Sequence, residues 1–127
     1  AEKAEVALTD SAGMDRVLHA FWQQHGEKHC AVMVVNGALT LQVARSLKRL
    51  GLNWGEHIGL LGFDELEWSE LAGVGITTFK QPTWQIGYSA LEQVIRRIDG
   101  DTSPPNDCVF SGELIVRGST TLLHNKA

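Results

Sequence analysis

Four polar side chains, Asp10, Asn36, Asp64 and Gln81, each follow an apolar run. A carboxylate or carboxamide can take two neighbouring hydroxyls at once, so several of them converging on one place would suit a polyhydroxylated ligand such as a sugar. Trp68, four residues beyond Asp64, could supply an apolar wall for the face of a sugar ring. Singly, each has a plainer reading. Strands must turn and helices must be capped, and such residues serve there; a Trp more often packs in a core or an interface. Only the combination points to a ligand.

Other constellations offer less. Asp64, Glu65, Glu67 and Glu70 could be drawn as an acid/base or metal cluster, but they lie among turn residues with no matching His pattern. His25, His29 and Cys30 are interrupted by Gly26 and read as a solvated loop. Gly73, Val74 and Gly75 imitate the start of a dinucleotide loop, yet Thr78 stands where the final Gly belongs and a strand follows in place of a helix. GxSxG elbow, Walker loop and HExxH are all missing. The residues support neither an enzyme, a cofactor nor a metal.

The elements that must position these side chains are legible from periodicity. Met14, Val17, Leu18, Phe21 and Trp22 recur at helical spacing, with Asp10 or Ser11 as N-cap and Gly26 beyond the end. Val6 to Leu8 reads as a first short strand, and Cys30 to Val35 as a parallel strand covered on both faces. Leu39, Val43, Leu47 and Leu50 form a second helical stripe that stops at Gly51. Ile58 to Phe63 and Gly75 to Phe79 read as two further strands. Pro82 suits the first turn of a helix carrying Ile86, Leu91, Val94, Ile95 and Ile98. After the polar linker 101–107, Val109–Phe110 and Leu114–Arg117 read as two last strands. The alternation predicts an α/β fold with a mostly parallel sheet flanked by helices, where ligands bind beyond the carboxyl ends of the strands.

Bulk properties narrow the field. The 127 residues suit one domain, and 43% hydrophobic with 20% charged residues is the balance of a soluble globular protein. A net charge of -4 with scattered Lys and Arg gives no footprint for a phosphate backbone. Cys30 and Cys108 read as small buried hydrophobes, and with no disulfide framework a cytoplasmic location is expected. No run approaches the roughly 18 apolar residues of a membrane span, so no membrane partner is expected. Residues 1–5 are charged where a signal peptide would be apolar, and the lack of an initiator Met reads as a piece of a longer chain.

The same residues carry a resemblance. Ala31 to Asn36, and then Gly51 to Asp64, resemble the effector-domain signatures of the LacI/GalR family of transcriptional regulators. Downstream, Gly75 to Pro82 with Gly87 resembles that family's LTT-x-x-Q-P stretch and its following Gly, and Leu114 to Thr120 its closing L-x-x-R-x-S-T. The match runs from about Ser11 to Thr120. It implies a periplasmic-binding-protein-like (type I) fold of two α/β subdomains with the effector in the cleft between them. Positions matching Asn36, Asp64 and Gln81 line that cleft, Phe63 fits an aromatic position, and the acid at Asp10 replaces a residue that is often aromatic. Glu67–Trp68 resembles the branch handling gluconate-type sugar acids. Among the departures, Gly37 stands where the family usually has Asp, and Thr40 to Gln42 where it has Ala-x-Gly.

By this resemblance residues 1–81 belong mainly to the C-terminal subdomain, 82–100 form a crossover helix of the other subdomain, and 107–120 hold the closing strands. The crossover helix would then expose its apolar stripe. A helix-turn-helix before Ala1 would supply operator DNA binding, under control of a sugar or sugar-acid effector. The family also implies a homodimer, with Leu41, Arg45 and Leu71 as interface candidates. The alternative is a sugar-binding receptor of the same fold serving a transporter.

Overall fold

The computed structural model describes residues 1–121. Residues 1–9 run without regular structure into helix α1 (Ser11–His25), followed by strand β1 (Ala31–Met33), helix α2 (Gly37–Arg49) and strand β2 (Gly59–Phe63). A short helix α3 (Glu67–Leu71), strand β3 (Thr77–Lys80) and the long helix α4 (Thr83–Ile98) come next. Strand β4 (Glu113–Ile115) and helix α5 (Gly118–Thr121) complete the described residues. The strands form one sheet in the order β1-β2-β3-β4. The first two pairings are parallel, and β4 closes the sheet antiparallel to β3.

The core forms where the helical stripes meet the central strands. Met14 and Leu18 of α1, Val43, Ala44 and Leu47 of α2, and Val34, Ile58, Leu60 and Ile76 from around the strands are all buried together. Leu47, Ile58, Leu60 and Ile76 have no solvent exposure at all. Truncating one such side chain to Ala typically costs about 2–5 kcal/mol. Asp15 of α1 accepts hydrogen bonds from Ser46 and Arg49 of α2, tying the two helices together. At the end of α2, Gly51 adopts φ 71, the left-handed conformation that glycine supplies without strain.

Several expectations require correction. Residues 6–8 form no strand; Val6 is half-buried against the core and Leu8 is exposed. An apolar run alone does not make a strand, because the backbone needs a ladder partner, and among the described residues β1 pairs only with β2. Val109 and Phe110 likewise remain outside the sheet, Val109 being almost fully exposed. Pro82 is the N-cap of α4 and not a residue of its first turn. Cys108 is exposed, at 3.2 Å from Gln93 Nε2, whereas Cys30 is half-buried against the core. Helices α3 and α5, of five and four residues, were not legible in the periodicity. The apolar stripe of α4 is exposed as expected, with no buried residue on the helix.

Candidate ligand-binding site

Two of the polar residues come together beyond the carboxyl ends of the strands. Asn36 ends the run that includes β1 and caps α2: its backbone is extended and its Oδ1 accepts the Leu39 N–H at 2.8 Å. One orphan donor of the helix is thereby satisfied. The side-chain Nδ2 of Asn36 has no hydrogen-bond partner among the described residues.

Asp64 follows β2 directly. Its backbone sits at φ 81, the one non-glycine residue at positive φ among those described. For an L-residue this costs about 1–2 kcal/mol, with Asp among the more tolerant types. The Asp64 N–H donates to the Phe79 carbonyl at 2.9 Å, and its carboxylate Oδ1 accepts from Gln81 Nε2 at 2.5 Å. The ends of β2 and β3 are thus joined through two of the side chains expected to meet a ligand.

Asn36 and Asp64 line an open depression of about 560 Å³, together with Val6, Leu8, Gly37, Ala38, Leu39 and Leu66. Its polar groups are a donor from Asn36 and a carboxylate from Asp64, and its walls are aliphatic. Gly37 keeps it open. A Cβ there would lie 2.7 Å from Leu66 Cδ1 and 3.7 Å from Asp64 Cβ. The Asp usual in the LacI/GalR pattern could therefore enter only if Leu66 moved; in this chain Asn36 provides the cap without it.

The remaining candidates are engaged elsewhere. Asp10 is the N-cap of α1, its Oδ1 accepting the Gly13 N–H at 2.8 Å. Phe63 stacks on Phe79 with ring centroids 5.3 Å apart. Trp68 lies half-buried on α3, packed against the hydrophobic core. None of these three lines the depression. Leu41 and Arg45 are one turn apart on α2, half-buried and exposed respectively, and Leu71 is exposed at the end of α3.

Sequence reasoning missed the aliphatic walls, Leu8 and Leu66. It also missed the role of the closing Arg-x-Ser-Thr segment. Ser119 is fully buried and its Oγ accepts the Thr77 N–H at 2.7 Å while donating to the Leu60 carbonyl at 2.6 Å. Arg117 grips Glu65 through two hydrogen bonds of 2.9 and 3.1 Å. The signal was the motif itself, but a motif does not state which strands it stitches. Because Glu65 is bound to Arg117 and Thr78, the carboxylates near Asp64 do not converge on an ion. Among the described residues no group of three or more His, Cys, Asp and Glu side chains is arranged to hold a metal. Nor is any helix among them long and apolar enough to cross a membrane.

Comparison with known proteins gives the family of this chain. The periplasmic binding protein-like domain family matches residues 1–120. The HTH-type transcriptional regulator PtxS of Pseudomonas aeruginosa is 42% identical over 118 residues, 93% of this chain and 34% of the regulator. A solved protein from Corynebacterium glutamicum, described as a LacI-family transcription repressor, superposes with a TM-score of 0.74 at 26% identity, over 87% of this chain and 42% of that one. A LacI-family regulator from Enterococcus faecium, solved with bound ribose, superposes with a TM-score of 0.71 at 19% identity, over 87% of this chain and 40% of that one. The chain spans about a third of the length of the curated relatives it matches. With its mostly parallel sheet and the match across residues 1–120, this chain belongs to the periplasmic binding protein-like domain family and is homologous to the LacI-type transcriptional regulators.

Proposed function

We propose that this chain is the effector-sensing part of a LacI-type transcriptional regulator, and that the depression beside Asn36 and Asp64 is its share of a site for a sugar or sugar acid of the gluconate type. The observation that carries the reading is that Asn36 and Asp64 line one depression, with Gln81 Nε2 bonded to the Asp64 carboxylate behind it. The carboxylate of Asp64 and the carboxamide of Asn36 are suited to neighbouring hydroxyls, and Leu8 and Leu66 suit the apolar edges of a ring. The E. faecium relative was solved with ribose, which supports a sugar as the ligand class.

In this reading residues 1–81 form the C-terminal subdomain, α4 crosses to a second subdomain, and the effector sits between the two. Binding favours one relative orientation of the subdomains and so changes operator affinity through a DNA-binding region in the longer protein. The regulator acts as a cytoplasmic homodimer through Leu41, Arg45 and Leu71 and performs no catalysis.

Thermal unfolding of the regulator containing this chain, against a panel of sugars and sugar acids, tests the reading. A ligand that binds the folded state raises the melting temperature. The expected outcome is a selective rise with one ligand, abolished in Asp64→Ala when each variant is compared with its own ligand-free baseline. A panel without any rise would sink the proposal.

A further inference from the structure

The carboxylate at the centre of the site depends on a backbone conformation that its residue type does not favour, so something must hold it there. The Asp64 N–H bond to Phe79 fixes one side. On the other side stands Glu65, whose carboxylate receives two hydrogen bonds from the Arg117 guanidinium at 2.9 and 3.1 Å and a third from Thr78 Oγ1 at 3.0 Å. The pair is largely shielded, with 17% of the Glu65 side chain and 18% of that of Arg117 exposed. Screening by water is therefore weaker than for a surface pair.

Arg117 is itself anchored. Its Nη1 donates to the Ile76 carbonyl at 2.8 Å, its backbone N–H donates to Thr77 Oγ1 at 2.8 Å, and its stem lies against Gly75, where a Cβ would come within 2.8 Å. Leu66 offers no side-chain cap to α3. The Glu65 side chain ties the segment between Asp64 and that helix to Arg117 and Thr78.

We propose that Glu65 and Arg117 are positioning residues for ligand binding: by pinning the residue after Asp64 to β3 and the closing segment, they hold Asp64 in its left-handed conformation, with its carboxylate on Gln81 at the rim of the depression. Neither residue lines the depression. The inference rests on the ligand-site reading above, but its effect on the backbone can be read without any ligand.

The test uses the regulator containing this chain and two readouts. A residue at positive φ brings its own amide and α protons close, giving a strong intraresidue nuclear Overhauser cross-peak at Asp64. That peak is expected in the wild type, lost in Glu65→Ala and Arg117→Ala, and retained in Glu65→Gln, which keeps an acceptor for Arg117. Exchange protection of the Leu61 and Gly62 amides, within the β2 ladders, verifies that each variant is folded. The second readout is titration with D-gluconate well below the melting temperature, where Glu65→Ala is expected to bind about tenfold more weakly and Glu65→Gln to recover most of the loss.

A strong Asp64 cross-peak persisting in folded Glu65→Ala overturns the inference. Wild-type protein that shows the cross-peak but ignores gluconate counts against the ligand reading alone, and the backbone comparison still decides the positioning role. Should the alanine variants unfold, Arg117→Met keeps the stem against Gly75 and removes both guanidinium bonds to Glu65. A weakened cross-peak in that variant supports the inference, and an unchanged one overturns it.

Discussion

Ser119 shows how much can depend on one hydroxyl. It satisfies the N–H of Thr77 and the carbonyl of Leu60 at once, both in the interior, and so ties α5 across β2 and β3. Ser119→Ala would leave both backbone groups without a partner and is expected to lower the unfolding free energy by about 1–3 kcal/mol, read from urea denaturation. That Asn36, Asp64 and Gln81 would lie at the same edge was legible in the sequence, because the ends of parallel strands face one side and an end is visible wherever an apolar run stops. Asp10, Phe63 and Trp68 were not separable from them by the same reasoning. Whether a side chain caps its own helix, stacks on a neighbouring strand or turns into the core depends on partners far away in the chain, such as Phe79 for Phe63.

Among the elements, α1, α2 and α4 and the strands β1 to β3 could be read from their stripes and runs, since each owes its pattern to its own length of chain. Helices α3 and α5 could not. Too short to be stable alone, they exist because long-range bonds hold them, as Ser119 does for α5. The segment around Val6 failed for the converse reason, having the composition of a strand without a ladder. The packing of α1 on α2 carries a pH signature. Hydrogen bonds from Arg49 first, and then from Ser46, hold the Asp15 carboxyl below the ordinary carboxylate value. A carboxyl depressed in the folded state contributes stability above its unfolded value, and that contribution fades as pH falls through the folded value. Asp15→Asn is therefore expected to be less stable near neutrality and to lose stability less steeply on acidification, as measured by the urea midpoint across that range.

On the scale of the whole molecule the apolar surface is unevenly covered. The core closes over α1, α2 and the central strands, while α4 presents Trp84, Tyr88, Leu91, Ile95 and Ile98 at helical spacing to solvent, Leu91 at 60% and Ile98 at 78% exposure. A contiguous stripe of this kind favours association. The 127-residue chain is expected to sediment as concentration-dependent oligomers, and the double substitution Leu91→Glu with Ile95→Glu to shift it towards monomer; a wild-type chain that stays monomeric at high concentration would contradict this.

The uneven covering has an optical counterpart. Of the four tryptophans, Trp22, Trp54 and Trp68 are half-buried against the core, and only Trp84 stands largely in water, at 75% exposure, stacked on Tyr88 with ring centroids 5.2 Å apart. A collisional quencher such as acrylamide would reach that indole first. The quenchable fraction of the emission is thus an intrinsic gauge of α4, and whatever seats itself on the helix will lower that fraction without any dye being attached.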